Sequence, residues 1–236
     1  MSSADDTSAS LVMSYLTLRK AVGIIGTSLP LVLVIGKMLL DGPGIQDSIS
    51  AYYYTSMRNV FVGSLCAIAV FLICYRYDRV DDIVGNLAGA FAIGVALFPT
   101  QPATDATTAA VWVGKVHLTF AAAFFCSLAY FCLALFRRTH VDGTMTPQKV
   151  DRNRVYTVCG YAIVACIVLI FVDSVFLRNS GLARFDPVFW LETVAVISFG
   201  VSWLTKGETL LGDLKPEAEA EAAPATEHVG LESPGV

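Results

Sequence analysis

Histidine is nearly absent from this sequence: three residues in 236, at positions 117, 140 and 228. A histidine-rich zinc centre inside a bilayer needs several of them in apolar stretches, and only His117 lies in one, so that chemistry is excluded. Charge is scarce as well. Asp, Glu, Lys and Arg make up 15% of the chain against 55% hydrophobic residues, too few to cover a soluble globule. Glutamate is the scarcest acid, with Glu192 alone before residue 208. The six cysteines (Cys66, Cys74, Cys126, Cys132, Cys159 and Cys166) form no CxxC pair and all fall in apolar stretches. They read as small buried hydrophobes rather than as disulfide partners or nucleophiles. Gly-x-Ser-x-Gly, His-Glu-x-x-His and P-loop patterns are missing, so no motif announces catalysis, and no cofactor or metal is called for.

What the sequence has is long apolar blocks. Mean hydropathy is +0.63. A bilayer core of about 30 Å needs about 20 mostly apolar residues at about 1.5 Å each. Six blocks meet that need, at approximately 20–40, 59–75, 83–99, 113–136, 155–177 and 187–205. The fold expected is all-α, a polytopic bundle of six transmembrane helices over 19–206. Residues 1–18 form an N-terminal cytoplasmic segment with no basic start or cleavage pattern, so the first block is expected to stay as a span. Residues 207–236 carry seven acids and one base in a Glu-Ala-rich run and read as a disordered acidic tail.

Basic residues orient the bundle. Eleven Lys and Arg (19, 20, 76, 79, 137, 138, 149, 152, 154, 206 and 215) fall on one side, and five (37, 58, 115, 178 and 184) on the other. The richer side belongs in the cytoplasm, which places both termini there and the protein in the cell (inner or plasma) membrane. Because topology accounts for the basic residues, nucleic-acid binding is not indicated. Local signals agree with the boundaries: Asp186-Pro187 and Thr146-Pro147 read as a cap followed by a first-turn proline, and Asp81 and Asp82 precede the third span. Pro30 lies inside the first span and is expected to kink it. Gly85 and Gly89 form a small-xxx-small pair that suits close helix packing inside the chain, or a seam through which an oligomer forms.

Ionisable groups within spans are costly and point to function. Glu192, His117, Asp173, Lys37, Arg58 and Asn59 all fall within roughly 8 Å of the outer boundary, counted at about 1.5 Å per residue. Snorkelling to the headgroups accounts for Lys37, Arg58 and Lys115. Glu192, Asp173 and His117 have shorter reach and suit a pocket. The segment before the second span adds Asp47, Ser50 and Tyr54, which share a face with Arg58 if that segment is helical. Three consecutive tyrosines, Tyr52 to Tyr54, form an aromatic belt or the rim of a capping segment.

The runs Ser48–Asn59, Asn86–Gly89, Gly94–Pro99, Phe189–Glu192 and Phe199–Gly207 resemble a bacterial family of six-span membrane proteins, the domain of unknown function 998, over about residues 15–207. The resemblance implies the fold and a membrane location, and it associates the Ser/Tyr/Arg segment, His117 and Glu192 with one architecture. Its activity is not established. Two functions follow from the residues. The first is binding of a membrane lipid headgroup or small polar ligand in an outward pocket lined by Asp47, Ser50, Tyr54, Arg58, Asn59, His117, Asp173 and Glu192. The second is a membrane-embedded hydrolase or transferase, with His117 and Glu192 or Asp173 as acid and base. Binding without catalysis is the reading preferred, and a packing or assembly factor with no ligand stands beside them. Transport ranks lower, since no repeat is evident.

Overall fold

Apolar blocks of this length satisfy their backbone polar groups internally, and helices do so wherever water is absent. The computed structural model describes residues 2–138, 147–177 and 181–211, and among these it is helical with no strand. Helix α1 spans Ser2–Leu40, α2 Arg58–Cys74, α3 Arg79–Leu97, α4 Thr108–Tyr130, α5 Pro147–Val172 and α6 Pro187–Lys206. Single π turns, Phe131–Leu135 and Asp173–Leu177, prolong α4 and α5. Five of the six helices are long and apolar enough to cross a membrane, and α2, at 17 residues, is the shorter one. Residues 212–236, most of the acidic tail, lie outside the described residues, as do His140, Thr146 and Arg178.

Each helix packs on the next in sequence, and α6 closes on α1, its most extensive partner, so the six form a ring. Neighbours run antiparallel. Along α1 and α6, Gly23 faces Leu204 while Gly26 faces Gly200, and a Cβ on Gly200 would sit 2.6 Å from the Thr27 nitrogen. No side chain larger than hydrogen fits there, and the two backbones touch. The Gly85/Gly89 pair is spent inside the chain in the same way: Cβ atoms there would lie 2.6 Å from the Leu72 carbonyl and 2.8 Å from that of Ala69, both on α2.

Burial follows the ring. Val22, Leu29 and Leu33 on α1 face inward, while Ile24, Leu31 and Ile35 on the same helix are exposed. On α5, Val158, Tyr161, Val168, Leu169 and Phe171 are exposed too. An outer surface this apolar suits a hydrocarbon solvent, not water. The centre of the basic end is an aromatic cluster: Trp203, 0% exposed, holds Tyr75, Phe131, Phe136 and Phe199 at ring distances of 5.2–6.0 Å.

Some local expectations change. Helix α1 begins at Ser2, so residues 2–18 are helical and continuous with the first apolar block, and Pro30 lies inside the helix. Asp186 does occupy the cap position of α6 with Pro187 following, yet its side chain makes no capping bond, because its backbone is left-handed at φ +48°. Asp78 caps α3 instead, accepting from the N–H groups of Val80 and Asp81 at 2.7 and 2.9 Å. All six cysteines are free; Cys132, Cys159 and Cys166 are buried, whereas Cys74 and Cys126 lie on the exposed surface.

Candidate functional site

The loop from α1 to α2 is built by its glycines. Gly42 and Gly44 take φ of +90° and +103°, conformations that strain any side chain with a Cβ. Asp41 fastens the far end of the loop: its carboxylate accepts from the Ser56 N–H at 2.9 Å and from the Ser56 hydroxyl. Those bonds hold the Asp41 carboxyl below the ordinary aspartate range. Lys37, in the last turn of α1, donates to the carbonyls of Gly42 and Pro43 at 3.0 and 3.1 Å. It is buried and serves the loop, which corrects the snorkelling reading for this residue. Lys115 is exposed, with its ammonium 4.4 Å from the Trp112 ring.

The segment before α2 is not the helix whose face was to carry Asp47, Ser50, Tyr54 and Arg58. A single 3-10 turn, Ser50–Tyr54, stops at Thr55, whose backbone is extended at φ −117° and ψ 174°. The Thr55 hydroxyl donates to the Tyr52 carbonyl at 2.8 Å and accepts the Met57 N–H at 3.1 Å, a local side-chain alternative to helix. The tyrosines accordingly separate. Tyr52 is fully buried, with its ring 6.3 Å from that of Phe189, and burial raises its phenol pKa. Tyr53 lies beneath the Arg58 guanidinium at 4.6 Å. Tyr54 is exposed, and its hydroxyl donates to the Thr100 carbonyl at 2.6 Å.

Glu192, half-buried on the second turn of α6, accepts the Ile49 N–H at 2.6 Å through Oε2. Asp47, in the same loop, brings a second negative charge near. Among the described residues Glu192 makes no ion pair. His117 is 4% exposed on α4. Its Nδ1 lies 2.6 Å from the carbonyl of Phe98, the C-cap residue of α3. A carbonyl can only accept, so Nδ1 carries the proton and satisfies a helix-end oxygen that would otherwise lack a partner. Arg58 donates from Nε to the Tyr53 carbonyl at 2.8 Å, and both Arg58 and Asn59 are exposed. Asp173 is half-buried where its π turn begins.

The loop thus reaches from α6, through Glu192, to the end of α3, through Tyr54. It gathers Asp47, Ser50, Tyr54, Arg58, Asn59 and Glu192 at one end of the ring. His117 stands on the α3–α4 seam of that same end, engaged with Phe98. Among the described residues no hydrogen bond joins His117, Asp173 and Glu192, and no three metal-type side chains cluster. Sequence reading missed the anchors Asp41, Ser56 and Thr100. The Asp41-Gly42-Pro43-Gly44 turn was the one available signal, and it gives no hint of a partner fifteen residues on. The chain matches no protein-family model, no curated protein and no solved structure.

Proposed function

We propose that the chain is a six-span membrane protein with both termini in the cytoplasm, and that it binds a small polar ligand or lipid headgroup at its outer, loop-bearing end. We propose as well that it belongs to the six-span family its motifs resemble. The observation that carries the binding reading is the bond from Ile49 to Glu192. An acid inside a span is costly, and a loop could be tied down by a neutral acceptor. Here a carboxylate takes that post, with Asp47 adding like charge. Lys37 turns to the Gly42 and Pro43 carbonyls and Arg58 to the Tyr53 carbonyl and ring, and among the described residues neither forms an ion pair with Glu192. Such a site favours a ligand that donates hydrogen bonds or carries an ammonium.

The acid–base alternative draws less support, since His117 and Glu192 are each engaged by backbone groups of different elements. The test is native mass spectrometry of the full chain in nanodiscs holding phosphatidylethanolamine and phosphatidylglycerol in equal amounts. Phosphatidylethanolamine is expected to be retained, and Glu192→Gln together with Asp47→Asn to release it about tenfold more readily. Identical lipid retention by the wild type and the double variant would sink the proposal.

A further inference from the structure

Asn86 is an amide on the outside of a helix that is otherwise built for lipid. It is exposed on α3, and among the described residues it makes no hydrogen bond. At about 1.5 Å per residue it lies about 10 Å from the Arg79 end of α3 and about 16 Å from the Leu97 end. Its stem is too short to carry the amide to the headgroups, as lysine and arginine stems do. Hydrocarbon offers neither donor nor acceptor, and a polar group left unsatisfied there is costly. Exposed hydroxyls elsewhere on the spans avoid that cost. Thr119 and Ser174 donate to carbonyls four residues back in their own helices, at 3.0 and 2.8 Å.

The surroundings of Asn86 suit a second helix. Ile83, Asn86, Ala90, Ile93 and Leu97 follow at steps of three, four, three and four residues, which sets them along one seam. All are exposed except Ile93, which is half-buried. Ala90, one turn from Asn86, lets a partner backbone come close. No helix of the same chain takes that place, because α3 packs on α2 and α4 and the ring closes elsewhere. The Gly85/Gly89 face is already spent against α2. Residues 139–146, 178–180 and 212–236 are polar or charge-rich in sequence, and hydrocarbon would cost them more than it costs one amide.

We propose that the chain forms a parallel homodimer through the outer face of α3, with Asn86 hydrogen-bonded to the partner's Asn86. Copies inserted by the same rules share one orientation, and a two-fold axis along the membrane normal sets each residue opposite itself. An amide carries donor and acceptor together, so two of them at equal depth satisfy each other. Any other partner needs a polar group of its own at that depth, whereas a second copy has one by construction. The dimer rests on α3 crossing the membrane and is independent of any ligand at the loop end.

The experiment uses the full chain in liposomes, with donor or acceptor fluorophores at the N-terminus and energy transfer followed as lipid is added. Wild type is expected to associate, and Asn86→Leu to dissociate about tenfold more readily. Asn86→Gln keeps the amide and is expected to stay within about threefold of wild type. In chains without native cysteines, Ile83→Cys should cross-link to its counterpart under copper phenanthroline. Val168→Cys, exposed on α5, should not. Should Asn86→Leu fail to fold, the cross-linking pair decides alone. Equal affinities of wild type and Asn86→Leu, or equal cross-linking from positions 83 and 168, overturn the proposal. A chain retained by the membrane under alkaline wash but monomeric at every dilution overturns it alone. Release by that wash overturns the membrane reading as well.

Discussion

Asp78 shows how much one side chain organises. It caps α3 through two backbone N–H groups and holds Arg138 at 2.8 Å. The Asp81 N–H, followed by its other partners, lowers the Asp78 pKa. A carboxyl depressed in the folded state contributes stability that is present above its unfolded pKa, near 3.9, and is lost as pH falls through the folded value. Asp78→Ala should therefore melt below the wild type at neutral pH, with the two curves converging as the pH drops under about 4. A gap that stays constant from neutral pH to pH 3 would show that the charge of Asp78 is not what stabilises α3. At this scale the sequence was informative about residue type and poor about partners. Glu192 stood out by rarity, but Ile49 as its partner depends on a loop conformation set by Gly42, Gly44 and Thr55 together.

Helices, by contrast, were readable because a bilayer span demands length and apolarity, both of which are local properties. The six blocks match α1 to α6, with α1 extending much further toward the N-terminus. Whether the loop is helical was left open by the sequence, because spacing alone cannot register a threonine hydroxyl that competes for the backbone. The seam between α1 and α6 escaped for a different reason: Gly23 and Gly26 belong with Gly200 only after the ring has closed. Gly200→Leu should cost about 1–3 kcal/mol of stability, since its side chain meets the backbone of α1, which cannot move aside. Gly63→Ala, facing open space, should stay within about 0.5 kcal/mol of the wild type. Unfolding in mixed micelles of rising denaturing-detergent fraction measures both, and similar midpoints for the two variants would remove the seam from the account.

For the whole molecule, the proposed orientation has a direct check. With the native cysteines replaced, Ser48→Cys should react with a membrane-impermeant maleimide in intact cells, and Thr144→Cys only after permeabilisation. Labelling of Thr144→Cys from outside would invert the topology. The proposed orientation rests on Lys and Arg alone, because the positive-inside bias is carried by loops of any conformation. The gathering of Arg19, Lys149, Arg152 and Lys206 around one cavity was not legible, since they are separated by up to 187 residues of chain and served, in the sequence, only as topology markers.

Closure of α6 on α1 also sets an order of events at the ribosome. The first helix to leave it meets its main partner only when the last one arrives, so throughout synthesis the narrow glycine face of α1 stands open to lipid or to passing helices. A chain cut short anywhere before residue 187 keeps that face exposed for good. Membrane proteases that survey unpaired helices would find there a mark separating the unfinished protein from the finished one.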